Sequence, residues 1–244
     1  MDDLDLYALG GMVNRSSAMF DRRRKILAEA RALIGQDGGD FSIRKLAENS
    51  GVSTRTIYNA FGNKDAVVSL AIGQYFDDFY RTMHFDEPLG TLEGAIERQI
   101  ATTRRNLDIP KYVHALAELY FQPRLGDNVR STLAELAARP YRDWLHRSAL
   151  RRELVAGQGV ERILVALAHL QYGTVCEWIA GGFGDRELVQ RTVSAVLTHL
   201  TGAFRGTASQ AARRMLAELL KGEDGFSQMN DRAARQLRAA RLEN

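Results

Sequence analysis

Phe41-Ser42-Ile43-Arg44-Lys45-Leu46-Ala47-Glu48-Asn49-Ser50-Gly51-Val52-Ser53-Thr54-Arg55-Thr56-Ile57-Tyr58-Asn59-Ala60-Phe61 reads as a helix, a three-residue turn and a second helix. Ser42 and Ser53 stand where a hydroxyl accepts a hydrogen bond from an otherwise orphan backbone N–H, so each opens a helix. Gly51 supplies the left-handed residue that ends the first helix. Ala47 is small enough for the second helix to cross closely, and Ile57 drives its branched side chain back between the two. These roles at these offsets, with Tyr58 and Phe61 following, describe a helix-turn-helix that lays its second helix in a DNA major groove.

The chemistry along that second helix follows from its geometry. Thr54, Arg55, Thr56, Tyr58 and Asn59 lie on or near its N-terminal half, the part that enters the groove. The fork of Arg55 can bond guanine O6 and N7 together, Asn59 can bracket adenine, and either threonine can pack on a thymine methyl. Ser53 caps the helix, and Arg44, near the start of the preceding helix, is a candidate for phosphate. Residues 15–64 carry ten Lys or Arg against five acids, a face suited to a phosphate backbone.

The longer run Val52-Ser-Thr-Arg-Thr-Ile-Tyr-Asn-Ala-Phe-Gly-Asn-Lys64-Asp-Ala-Val67 resembles the signature of tetracycline-repressor-type (TetR-family) transcription regulators. In that signature an aromatic, a short polar turn and a helix-opening lysine follow the recognition helix, and Tyr58, Phe61 and Lys64 stand in those places. The resemblance implies that Tyr58 and Lys64 anchor the DNA backbone, the latter at a helix N-terminus where anions are already favoured. Thr54-Arg55 stand where such proteins often carry Lys-Gly, and Asn59 where His is common, so base preference does not carry over. The motif-bearing resemblance spans roughly residues 20–80; beyond it only length and a helical pattern agree.

The 244 residues suit one small and one medium domain, all-α in class. We divide them into an N-terminal extension (1–18), a three-helix DNA-binding head (19–64), a connecting helix (65–83), a helical body (84–221) and a basic tail (222–244). The tail, with Arg232, Arg235, Arg238 and Arg241 among alanines, reads as a frayed basic helix or as disordered chain. The first head helix is expected over Asp21–Ile34, and the body helices near 91–107, 109–122, 127–156, 159–182, 185–204 and 207–221. Pro140 should kink or split the third of these. No apolar run approaches the roughly 18 residues that span a bilayer, and the N-terminus is acidic where a secretory signal is basic, so a cytoplasmic location and no membrane partner are expected. The single cysteine, Cys176, leaves no intrachain disulfide.

Catalysis is not expected. His169 and Cys176 share a predicted helix but lie about 10.5 Å apart along its axis, too far for a nucleophile and its base. His114 and Glu118 make at best half a metal site, and no P-loop or dinucleotide fingerprint is present, so neither metal nor cofactor is expected. The resemblance implies instead a body that encloses a small-molecule effector. Its candidate wall is Tyr120, Phe121, Trp144, Tyr172 and Cys176, with His114, Glu118, His169 and Gln171 as polar groups; plain core packing is the alternative for each. The resemblance also implies a homodimer. Leu164, Leu167, Gln171 and Val175 on one helix and Val189, Val193, Val196, Leu197 and Leu200 on the next would pair with their copies in a four-helix bundle, unless both stripes are buried within the chain. The resulting expectation is a repressor released from a palindromic operator in double-stranded DNA by a small molecule. An effector-independent regulator or architectural protein is the alternative.

Overall fold

The computed structural model describes the backbone of residues 3–37, 40–221 and 224–242, with side chains over 19–37, 40–221 and 227–238. The side chains of Arg15 and Arg241, which entered the basic face and tail above, lie outside the described residues. The head comprises α1 (Asp3–Asp37), α2 (Ile43–Ser50) and α3 (Thr54–Phe61). Ile26, Ala30, Leu33 and Ile34 of α1 close over Phe41, Leu46, Ala47, Ile57 and Phe61, all buried. Gly51 adopts φ 67°, and its N–H bonds back to the carbonyls of Ala47 and Glu48. A Cβ at that φ crowds the following carbonyl, so Gly51→Ala should lower stability by about 1–2 kcal/mol, read from thermal unfolding. The first helix starts at Asp3, well before Asp21. Apolar periodicity begins only at Ile26, so the earlier turns carry no packing signal, yet no proline interrupts them.

The connecting helix α4 (Lys64–Thr82) is capped by Asn63, whose Oδ1 accepts from Ala66 N at 2.8 Å. The body follows as α5 (Leu92–Asp108), α6 (Pro110–Phe121), α7 (Asp127–Ala138), α8 (Arg142–Leu150), α9 (Val160–Ile179), α10 (Asp185–Ala203), α11 (Gly206–Lys221) and α12 (Asp224–Leu242). Pro140 does split the expected 127–156 helix, into α7 and α8. Among the described residues there is no strand beyond a single antiparallel bridge, Leu154 to Phe204, and no helix is long and apolar enough to cross a membrane. The head is not a loose appendage. Its α1 packs on α6, and α4 packs on both α1 and α7.

Two expectations are corrected. The tail is a docked helix: α12 lies along α5, with Ala233 and Leu237 buried and Arg104 donating to Asn230 at 2.8 Å. Its Arg232 reaches Asp86 at 2.9 Å, in the loop after α4. That loop is held from below by the buried carboxylate of Glu97, which accepts from the backbone N–H groups of Asp86 (3.2 Å) and Glu87 (2.9 Å).

The second correction concerns the dimer stripes. Leu164, Leu167, Gln171, Val189, Val193, Val196, Leu197 and Leu200 are all buried inside the single chain. The reason is crowding: α9 is flanked by α6, α7 and α10, and α10 by α5, α9 and α11, so neighbouring helices of the same chain consume the apolar excess.

Candidate DNA-reading head and body cavity

In the head, Ser53 is the N-cap of α3. Its Oγ accepts from Thr56 N at 3.1 Å and shares a 2.8 Å hydrogen bond with Thr56 Oγ1. These two hydroxyls are therefore engaged in holding the helix end. Thr54, Arg55, Tyr58 and Asn59 remain exposed, and Arg55 and Asn59, four residues apart, share one face. Arg44 is also exposed and pairs with Glu48 at 3.0 Å. A pair so open to water contributes little, so phosphate can displace the carboxylate. Lys64 opens α4 with its Nζ 5.1 Å from the centre of the Phe41 ring, which props the ammonium at the edge of the reading surface.

The basic start of α1 divides. Arg22 and Arg24 are exposed, whereas Arg23 stacks over Phe61 at 4.7 Å and donates to Ala60 O at 3.0 Å. Arg23 thus fastens the C-terminal end of the recognition helix, a role with no signal in the sequence. Lys45 is tied to Asp37 at 2.6 Å. The basic excess counted along the sequence is partly spent on structure.

The nine residues expected around a ligand do not converge on one site. Tyr120 stacks on Tyr172 at 4.5 Å, and His169 meets the edge of Tyr120 at 5.5 Å and lies parallel to Phe121 at 6.3 Å. Phe121 and His169 are exposed, so this cluster lies on the outer α6–α9 edge. His114 and Glu118 pair with each other at 3.2 Å along α6. Burial, with help from Glu118, pushes the half-buried Cys176 thiol up, which makes it less reactive. Trp144 packs on Phe204 at 5.0 Å, in the core of α8. Among the described residues no three His, Cys, Asp or Glu side chains gather as a metal site would require.

The body does contain a cavity, of about 50 Å³, between α4, α5, α6, α7, α9 and α10. Of those nine residues, Gln171 and Tyr172 are on its wall. The rest is Phe76, Val113, Leu116, Leu136, Ala137, Pro140 and Val175 with the polar Gln99, Thr102, Thr103, Asn106 and Thr192. These last polar groups were missed: single amides and hydroxyls on amphipathic helices carry no signal that sets them apart from solvated positions.

Residues 26–71 match the family model described as bacterial regulatory proteins of the tetR family. That segment holds the helix-turn-helix, so the DNA-binding head is of the TetR type. A chain with that head is a DNA-binding transcription regulator and not an enzyme. No curated protein matches it. Among solved structures, TylP, a TetR regulator of Streptomyces fradiae, superposes with a TM-score of 0.56 at 18% identity, over 85% of this chain and 93% of that one. A TetR-family protein of a Shewanella species gives 0.55 at 18% identity, over 76% and 99%. NalD, described as the secondary repressor of the MexAB-OprM multidrug efflux pump in Pseudomonas aeruginosa, gives 0.50 at 17% identity, over 77% and 98%. At these identities the likeness establishes the shared fold.

Head and cavity are joined by one element. Lys64 and Phe76 are twelve residues apart on α4, about 18 Å along the helix axis. Near its head end, α4 also touches the start of α7: Gly126 leaves room for the Asp65 carboxylate, which any Cβ at that position would strike.

Proposed function

We propose that the protein represses transcription by holding a near-palindromic operator as a homodimer, and lets go when a small molecule enters the body cavity. The observation that carries the reading is α4, with Lys64 at the DNA-facing end and Phe76 in the cavity wall. A body that closes on 50 Å³ is too small for a drug-sized ligand, whose sites run about 300–1,000 Å³, so a bound effector must move a wall. Phe76 is part of that wall, and displacing it tilts the helix that positions the head. Two heads in successive major grooves must stay about 34–36 Å apart, so a shift of a few ångströms forfeits one half-site. The description of NalD as a repressor supports the direction of control. Acting on DNA in this way, the protein works in the cytoplasm.

The dimer surface in this reading is the outer face of α9 and α10, the side turned away from the stripes buried in the chain. Ala166 and Gly173 on α9 and Ser194 and Thr198 on α10 lie there. Gly173 lies in the interior of α9, and a Cβ on it would meet nothing within 4 Å. A mid-helix glycine destabilises by about 1 kcal/mol relative to alanine, and nothing inside this chain offsets it. A second backbone packed against it would.

DNA duplexes selected by the protein from random sequence test the reading head. Arg55→Ala should weaken binding to the selected duplex by about 1–3 kcal/mol and relax choice at one base position. Lys64→Ala should weaken selected and scrambled duplexes alike and reduce the salt slope by about one. Equal losses on both duplexes for Arg55→Ala would assign it to phosphate instead. The coupling is tested by titrating a bound small molecule with and without the selected duplex. Linkage demands that DNA weaken the small molecule by the factor by which the small molecule weakens DNA.

A further inference from the structure

The cavity wall holds fourteen side chains, and among the described residues none of them is Asp, Glu, Lys, Arg or His. An ion placed there would leave its hydration behind and find no counter-charge. The wall is nonetheless rich in neutral hydrogen-bonding groups. Four of them each commit a donor within the protein: Gln171 Nε2 to Ala137 O at 2.8 Å, Tyr172 OH to Leu133 O at 3.0 Å, Thr192 Oγ1 to Leu188 O at 2.8 Å and Gln99 Nε2 to Thr103 Oγ1 at 3.0 Å. Each of these groups keeps acceptor capacity after its donor is used: the Gln171 carbonyl oxygen and the lone pairs of the Tyr172 and Thr192 hydroxyls. The apolar remainder, Phe76, Leu116 and Val175 among it, suits a hydrocarbon body. The enclosed 50 Å³ compares with the roughly 150 Å³ of a protein cavity that admits benzene, so even a single ring requires a wall to yield.

Resting on the effector reading above, we propose that this cavity receives a small uncharged molecule that brings hydroxyl or N–H donors on an apolar body, with phenol as its simplest probe. Gln171 and Thr192 accept from its donor. The ligand's neutrality is imposed by the absence of any charged partner on the wall, and its donor matches the acceptors that Gln171, Tyr172 and Thr192 keep. Its size is imposed by the space that Phe76 can open.

Calorimetric titration with four probes of one shape tests this: phenol, toluene, benzoate and benzylammonium. Phenol is expected to bind, toluene at least tenfold more weakly for want of a donor, and the two ions not at all. Thr192→Val should weaken phenol about five- to tenfold and leave toluene unchanged. This variant removes a hydroxyl whose own donor bond is to its helix, so folding is spared. Gln171→Leu should weaken phenol as well, but it also orphans the Ala137 carbonyl, and Thr192→Val therefore decides. Benzoate or benzylammonium binding as tightly as phenol would overturn the proposal, as would toluene matching phenol, a Thr192→Val protein with unaltered phenol affinity, or failure of all four probes to bind. Release of a selected duplex by a charged compound that occupies the cavity would overturn the ligand class and leave the effector reading standing. Phenol binding that changes no duplex affinity would leave the class standing and remove the effector role.

Discussion

Leu197→Arg is expected to yield an unfolded protein and not a folded monomer. Leu197 is 0% exposed, on the face of α10 that the rest of its own chain covers. Arginine there forfeits the transfer free energy of a buried leucine, about 1.5–3 kcal/mol, and adds a guanidinium without a partner. Losses above about 4–5 kcal/mol are exceptional for one substitution, and this combination reaches them. Since a whole domain holds only about 5–15 kcal/mol, little folded protein should remain. Circular dichroism and soluble yield measure it. A cooperative melt near that of the parent, with a monomer mass, would return Leu197 to a subunit interface.

The contrast between head and body explains how far the sequence could be read. In the head the determinants are local: Ser42 and Ser53 cap helices that begin one residue later, and Gly51 ends a helix through its own φ. Each signal therefore lies within a few residues of its effect. The stripes on α9 and α10 are different. Periodicity says that a face is covered but not by what, and Val193 would look the same beneath α5 and α11 as beneath a second copy. The cavity was less legible still. Aromatic residues drew attention to Trp144 and Phe121, one a core contact of Phe204 and the other exposed, whereas the wall is set by Gln99, Thr103 and Thr192, which meet only when α5 and α10 pack together.

The tail shows a pattern present but outweighed. Its arginines suggested a solvated or frayed segment, yet Ala233 and Leu237 are four apart and form the short stripe that docks α12 on α5. Long-range anchors left no mark at all. Glu153 is the clearest of them: it accepts from the backbone N–H groups of Thr207 (3.1 Å) and Ala208 (3.3 Å) and so caps α11 from more than fifty residues away. Burial works against its charge, but hydrogen bonds from Thr207 and Arg151 prevail and hold its carboxyl below the usual carboxylate range. Its stabilisation is present above the unfolded carboxylate pKa and is lost as pH falls through the lowered one.

Gly173→Arg is expected to give a folded, soluble monomer whose affinity for a selected palindromic duplex is lower by about 10²- to 10⁴-fold. The single chain has no objection to the change. Gly173 points away from the buried stripe of α9, a Cβ there meets nothing within 4 Å, and arginine favours a helix interior over glycine by up to about 1 kcal/mol. In a dimer built on the outer faces of α9 and α10, the same side chain lies where the partner's backbone must come close, and its charge is left without water or a counter-ion. Each head then binds its half-site alone, without the high effective concentration that the other head supplies. Ser131→Arg, on the exposed face of α7, adds the same charge elsewhere and should change neither mass nor affinity. Light scattering and duplex titration of the two variants give the result. A Gly173→Arg protein that remains dimeric would move the interface off this face, and a monomer that binds the palindrome with parental affinity would show that the heads do not act as a pair.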